Sequence, residues 1–86
     1  MAGYEVFIKP SALKELDSLG TRKLRRAIAA RISALARDPR PPGCRKLADQ
    51  ERFRIRLGTY RIVYSGDDAH RTVLVVKVGH RKDIYR

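Results

Sequence analysis

The sequence is short of cysteine and of long apolar runs, and each shortage excludes a class of protein. Cys44 has no second cysteine with which to form an internal disulfide, which fits the reducing cytoplasm. No apolar stretch approaches the ~18–20 residues of a membrane-spanning helix. Near the N-terminus only Val6–Ile8 precede Lys9 and Pro10, so we expect no signal peptide. These features predict a cytoplasmic protein with no membrane contact.

Motifs for metals and cofactors are also missing. His70 and His80 lack metal-ligand spacing to each other and to Cys44. The only close acidic pair, Asp67-Asp68, lies in a predicted turn, where Asp is common for backbone reasons alone. The sequence contains no phosphate-binding loop, no dinucleotide fingerprint and no recognisable catalytic triad. We therefore predict no metal and no small-molecule cofactor.

Acidic residues are scarce, and this imbalance indicates the kind of partner. Nine acidic residues oppose 20 Lys and Arg residues, which gives a net charge of +11. Hydrophobic residues make up 43% of the 86 positions, enough to expect a folded chain rather than a disordered one. Such a charge indicates a polyanionic binding partner. Nucleic acid is favoured over a membrane surface, because the densest basic cluster alternates along a strand instead of lining an amphipathic helix.

The hydrophobic patterns predict an α+β fold in a single domain of residues 1–86. Two N-terminal helices pack on one face of a small antiparallel sheet of three to four strands. The Val-rich run 72–78 suggests a central strand covered on both faces. The predicted elements are a strand at 4–8, a helix from Pro10 to Gly20, a helix from the N-cap Thr21 to Asp38-Pro39, a connection at 39–51, a hairpin at 53–64, a turn at 66–68 and a strand at 72–78.

The hairpin FRIRLGTYRIVY, residues 53–64, is the most informative segment. Gly58-Thr59 suits a two-residue type II′ turn and sets the register, in which Arg56 lies opposite Arg61. Alternation then puts one set of apolar side chains on one face and four arginines on the other. Like charges directly opposed across strands destabilise a sheet, so a bound anion such as phosphate is the natural explanation. We call this surface the arginine face, made of Arg52, Arg54, Arg56 and Arg61.

The tail GHRKDIYR, residues 79–86, supplies further candidates. If strand 72–78 pairs with the second hairpin strand, His80, Arg81 and Tyr85 could reach the arginine face and exchange protons with a phosphodiester. Plainer roles are also open: an exposed His80, an Arg81 paired with Asp83, and a Tyr85 that only packs its ring. Additional RNA-binding candidates are Arg52, Lys46 and Lys77.

The order FRIRLGTYRIVY, turn, Val-rich strand and VGHRKDIYR resembles the RelE/ParE superfamily of toxins over essentially the whole chain. The resemblance implies a RelE-like fold and the toxin half of a type II toxin–antitoxin pair. RelE-like members cut mRNA in the ribosomal A site without a metal ion, and an acidic RelB-like antitoxin holds them inactive. The expected partners are therefore the antitoxin, the ribosome and mRNA.

The resemblance also implies roles for individual residues. Arg61 matches the arginine that clamps the scissile phosphate, Arg81 the one that stabilises charge and protonates the leaving group, and Tyr85 the tyrosine that stacks on the target nucleotide. Arg54 and Arg56 occupy positions where well-studied members have lysines. Arginine stays protonated and is a poor general base. Either His80, with an unperturbed pKa near neutrality, is the base, or charge stabilisation alone drives the reaction.

Two other functions stay open. ParE-like members share the fold, lack the RNase residues and poison DNA gyrase by binding it. A non-catalytic nucleic-acid-binding module would use only the basic surface. The five matching side chains favour the RNase branch.

Overall fold

Two helices and a five-stranded sheet make up the fold in a computed structural model that describes residues 3–47 and 52–80. The elements in chain order are β1 (Glu5–Ile8), α1 (Pro10–Asp17), α2 (Arg22–Ala34), β2 (Arg45–Lys46), β3 (Arg52–Leu57), β4 (Tyr60–Asp67) and β5 (Thr72–His80). The strand order in the sheet is β1-β5-β4-β3-β2. The predicted α+β class is confirmed, and the sheet is one strand wider than the three to four expected.

Local sequence explains both helices. Pro10 occupies the start of α1, where its missing N–H costs no hydrogen bond. α1 ends at Asp17, before the expected Gly20, and the Ser18 hydroxyl and amide both donate to the Lys14 carbonyl in its last turn. Thr21 caps α2 by accepting a hydrogen bond of 3.1 Å from the Leu24 amide. Within residues 3–47 and 52–80, neither helix has the length and apolar character that crossing a bilayer requires.

The sheet departs from the all-antiparallel expectation at β1. This strand pairs in parallel with β5, with Val6 opposite Val73, while the other pairs of neighbouring strands are antiparallel. The chain passes from β1 at once into α1, which packs on β5, and the Lys9 amide donates to the Val75 carbonyl. A parallel neighbour needs a long crossover, and the two helices begin that crossover here.

The short strand β2 was expected to be part of a connection. Pro41 to Cys44 form a turn closed by a 3.0 Å hydrogen bond from the Cys44 amide to the Pro41 carbonyl. Gly43 has φ +89°, so this is the type II geometry that requires glycine at the third position. The turn directs the chain alongside β3, where Arg45 lies opposite Arg54.

The hairpin of β3 and β4 follows the predicted register. The pairs Leu57–Tyr60, Arg56–Arg61, Ile55–Ile62 and Arg54–Val63 are all present. Gly58 has a φ of +61°, whereas the φ of Thr59 is not positive, as a type II′ turn requires. This confirms the register from which the arginine face was inferred.

Two expectations about β5 and its entry are wrong. The turn lies after β4, which runs through Asp67, so Gly66 and Asp67 belong to the strand and not to the turn. β5 lies between β1 and β4 in the sheet, yet its Leu74 is 40% exposed. Both helices pack on one face of the sheet, which leaves the other face of β5 uncovered at this position.

The core lies between the helices and that one face. α1 and α2 contribute Ala12, Leu16, Ile28, Ile32 and Leu35, and the sheet contributes Ile55, Ile62, Tyr64, Val73, Val75 and Val78. The Tyr64 hydroxyl donates a 2.6 Å hydrogen bond to the Pro39 carbonyl. This bond ties the segment after α2 to β4, the middle strand of the sheet.

Candidate nucleic-acid interface

The arginine face is the side of the sheet opposite the helices. Alternation along β3 and β4 sends Ile55 and Ile62 into the core and their neighbours Arg54, Arg56 and Arg61 to the other side. Arg56 and Arg61 are direct cross-strand partners. The structure thus brings together the arginines that the sequence placed together.

Arg61 is buried, which was not expected for a residue treated as a surface charge. Only 6% of it is exposed, and Nη1 lies 3.4 Å from the Tyr60 carbonyl oxygen. Its register partners on the two sides are Arg56 on β3 and Gly79 on β5. In the register of the sheet, Arg61 thus lies between an arginine and a glycine.

A second like-charge pair extends the surface. Arg45 on β2 lies directly opposite Arg54 on β3. The pKa of Arg54 is lowered, first by burial and then by the positive charges of Arg56 and Arg45. Three adjacent strands therefore present a continuous band of positive charge in which the members repel one another.

Sequence reasoning missed Arg45. It lies in a stretch interpreted as a connection, and a two-residue strand leaves almost no periodic signal. The Pro41–Gly43 segment, with Pro before Gly, was the signal that could have located it, because such a pair predicts a tight turn that reverses the chain.

His80 lies elsewhere relative to the arginines. It ends β5 opposite Tyr60, and the two rings meet edge to face with centroids 5.6 Å apart. Tyr60 packs against the core on the helical side, so the register places His80 on that side, one position from Gly79. A substrate must reach the end of the sheet to contact both His80 and Arg61.

The remaining candidates divide between the two sides. Arg52 is exposed at the start of β3, on the strand that carries Arg54. Lys46 pairs with Phe53, so it lies on the face of the sheet opposite to that of Arg54. Lys77 donates a 3.3 Å hydrogen bond to Glu15 of α1, whose other carboxylate oxygen accepts from the Val78 amide. Arg81 and Tyr85 lie outside the described residues.

No cluster of three or more His, Cys, Asp or Glu side chains that could hold a metal ion occurs in the described part of the chain. The chemistry that the described site offers is anion binding by planar, permanently charged guanidinium groups, which match phosphate geometry with two hydrogen bonds each.

A family model described as the ParE toxin of a type II toxin–antitoxin system, parDE, matches residues 6–85. The chain belongs to this toxin family. Toxin RelG of Mycobacterium tuberculosis is 38% identical to it over 86 residues, which covers 96% of this chain and 97% of that protein.

Solved structures of RelE toxins share the fold of this toxin. The toxin–antitoxin complex RelBE2 of Mycobacterium tuberculosis matches with a TM-score of 0.79 at 30% identity, over 92% of this chain and 99% of that chain. An arginine-to-alanine double variant of E. coli toxin RelE in the free state matches with a TM-score of 0.77 at 27% identity, over 96% of this chain and 90% of that chain. The archaeal RelE–RelB complex from Pyrococcus horikoshii matches with a TM-score of 0.75 at 30% identity, over 94% of this chain and 97% of that chain. The resemblance to RelE-like toxins of type II systems is thereby confirmed.

Proposed function

We propose that this toxin is a ribosome-dependent endoribonuclease that cleaves mRNA and stops translation. The observation that carries the proposal is the direct opposition of Arg56 and Arg61, joined on the same face by Arg54. Folding alone gives no reason to collect these charges, because each opposed pair costs stability. A phosphodiester bound across the face converts the repulsion into attraction.

The arginines suit cleavage in which the neighbouring 2′-hydroxyl attacks the phosphorus. The 2′-hydroxyl gives up its proton as its oxygen bonds to phosphorus, the bond to the 5′-oxygen breaks, and that leaving oxygen takes up a proton, so the products are a 2′,3′-cyclic phosphate and a 5′-hydroxyl. Negative charge grows on the phosphoryl oxygens in the pentacoordinate transition state. Preorganised guanidinium groups in a partly water-excluded site stabilise that charge at little reorganisation cost.

Burial of Arg61 supports a role as the phosphate clamp. A buried guanidinium has few alternative positions, so its fork is held in place before substrate arrives. Proton transfer needs other groups, since an arginine stays protonated near neutral pH. We assign it to His80 at the end of the sheet, while Arg81 of the tail stabilises charge at the leaving group and Tyr85 stacks on the target nucleotide.

The partner that restrains this activity is, we propose, an acidic RelB-like antitoxin. RelBE2 of Mycobacterium tuberculosis was solved as a toxin–antitoxin complex, and the Pyrococcus horikoshii protein was solved as a RelE–RelB complex. A net charge of +11 favours an acidic partner that neutralises part of the basic surface.

The test is cleavage of mRNA on ribosomes, followed by primer extension. We expect wild-type protein to cut within the A-site codon and Arg61→Ala to cut at least ~10²-fold more slowly, the usual cost of removing one preorganised donor. Because Arg61 is buried, Arg61→Lys provides a second variant that keeps charge and bulk but loses the two-pronged geometry, and it should also lose at least tenfold.

Arg26→Ala, an exposed change on α2, is the matched control and should cut at the wild-type rate. Wild-type rates for both Arg61 variants would refute the clamp. The match to the ParE family model favours one alternative, a gyrase-directed toxin. Inhibition of gyrase supercoiling by wild-type protein that leaves ribosome-bound mRNA intact would establish that alternative instead.

A further inference from the structure

An opening lined by arginines lies at the edge of the hairpin, beside the arginine face. It is a shallow cavity of about 320 Å³, lined by three arginines from three different elements, Arg31 of α2, Arg45 of β2 and Arg56 of β3. Its remaining walls come from Pro42, Gly43 and Ile55. None of the described residues that line it is acidic.

Each arginine is placed there by an independent feature of the fold. Arg31 lies between the buried Ile28 and Ile32 along α2, at the border of the helix's apolar face. Arg45 follows directly on the type II turn that Gly43 makes possible. Arg56 is exposed on β3, opposite Arg61. Three unrelated backbone segments thus converge their charged side chains on one opening.

Among residues 3–47 and 52–80, no acidic side chain forms an ion pair with the arginines of this opening. In the part of the chain that the structure describes, the ion pairs are Arg40–Asp68, His70–Asp67 and Lys77–Glu15, and none involves Arg31, Arg45 or Arg56. Arg45 also lies opposite Arg54, so the opening continues the band of repulsive pairs beyond the arginine face. A site that gathers three cations, with no acidic residue in its described lining, suits an external anion.

We infer that Arg31, Arg45 and Arg56 form a second phosphate-binding subsite, which holds an RNA backbone phosphate next to the one bound across the arginine face. Arg56 belongs to both sites, and neighbouring strands are only ~4.8 Å apart. One RNA strand can therefore lie across the sheet with a phosphate at Arg61 and another at the hairpin edge. The inference rests on the proposed function for the first phosphate, and it adds a positioning contact rather than a catalytic group.

The test measures binding of an eight-nucleotide single-stranded RNA whose riboses all carry 2′-O-methyl groups. This probe keeps every phosphate and lacks the attacking hydroxyl, so binding is measured without cleavage. The variants are Arg31→Ala, Arg45→Ala and the double variant, and the matched control is Arg26→Ala on the same helix. Arg26 is exposed and lies about 140° around the helix axis from Arg31.

We expect the double variant to bind about tenfold more weakly at ~0.1 M salt, because it loses charge-assisted hydrogen bonds at a partly exposed site. The slope of log affinity against log salt should fall by about 0.7, the value for one phosphate contact on a single strand. The single losses should sum to more than the double loss, since the two side chains share one phosphate. Independent charges spread over a surface would add.

A parallel measurement with ribosomes that carry no mRNA distinguishes the sources of the phosphate. A loss with the short RNA assigns it to a single strand such as mRNA, and a loss confined to ribosomes assigns it to ribosomal RNA. The subsite is overturned if the losses of affinity for Arg31→Ala and Arg45→Ala are additive and each equals the loss for Arg26→Ala. A loss seen only with a polyglutamate peptide also overturns it, in favour of a carboxylate partner.

The result is separable from the endonuclease proposal. If wild-type protein cuts no ribosome-bound mRNA and the double variant still loses RNA binding as described, the subsite stands and the endonuclease proposal fails. If wild type cuts mRNA and the double variant binds the probe and ribosomes as wild type does, only the subsite fails.

Discussion

Replacing Arg56 by Gln should stabilise the protein and slow mRNA cleavage at the same time. Arg56 is exposed on β3 and faces Arg61 directly across the hairpin. Gln keeps most of the side-chain length and its hydrogen-bonding capacity while it removes the charge. The expected gain in the free energy of unfolding equals the repulsion between Arg56 and its charged neighbours. Its size therefore measures how much stability the protein loses by keeping these charges together for function.

The magnitude follows from the geometry. If the guanidinium carbons of the opposed pair stand ~7 Å apart, their repulsion is about 0.6 kcal/mol at a dielectric constant of 80 and about 1.2 kcal/mol at 40. Arg54 lies two residues along the same strand and adds a similar amount, since two residues of strand span about 7 Å. The unscreened total is therefore about 1–2 kcal/mol, and salt at ~0.1 M, with a Debye length of ~10 Å, reduces it to about 0.5–1 kcal/mol.

Urea unfolding at two salt concentrations is the assay. At ~0.1 M NaCl we expect Arg56→Gln to raise the free energy of unfolding by about 0.5–1 kcal/mol, or the melting temperature by about 2–8 °C for a domain of this size. At ~1 M NaCl the Debye length is ~3 Å and the gain should fall to about 0.1–0.2 kcal/mol. Arg26→Gln, which removes an exposed charge from α2, should change stability little at either concentration.

A gain that is absent at low salt, or one that is equally large at high salt, would refute the reasoning. The first result would mean that Arg56 and Arg61 do not repel in the free protein. The second would assign the gain to strand propensity or packing, which salt does not screen.

Two further predictions concern stability. Tyr64→Phe removes the buried hydroxyl that donates to Pro39 and should cost about 1–2 kcal/mol in urea unfolding at pH 7. Burial raises the pKa of Tyr64, so wild-type stability should fall as pH rises above ~10, and the variant should lose less in the same window. Hydrogen bonds from Arg40 and Tyr4 lower the pKa of Asp68, so its contribution is present above pH ~4 and is lost as the carboxylate protonates below it. Asp68→Asn should therefore lower the melting temperature at pH 7 and have progressively less effect as the pH falls below ~4. Asp17→Asn, at the exposed end of α1, should be neutral throughout this range. A shift for Asp68→Asn that does not shrink as the pH falls would contradict the argument.

Local pattern was sufficient for the elements and for the hairpin. A Gly in the first position of a two-residue loop and a strict alternation of apolar and basic residues determine both turn type and register, because the side-chain period of a strand is two. For this reason the opposition of Arg56 and Arg61, on which the proposed function depends, could be predicted from twelve residues of sequence. The cap at Thr21 and the start at Pro10 are likewise local, since each satisfies or omits backbone donors within one helical turn.

Only the tertiary structure decided which segments become neighbours. Alternation is the same in parallel and antiparallel strands, so the sequence of β1 could not show that it pairs in parallel with β5, a partner 67 positions away in the pair Val6–Val73. Arg61 is buried on β4, which lies between β3 and β5 only in the folded sheet. The side on which His80 lies depends on the bulge at Val63/Tyr64 and on its pairing with Tyr60. The convergence of Arg31, Arg45 and Arg56 has the same origin. Each charge is ordinary within its own segment, and chain folding alone determines that the three meet.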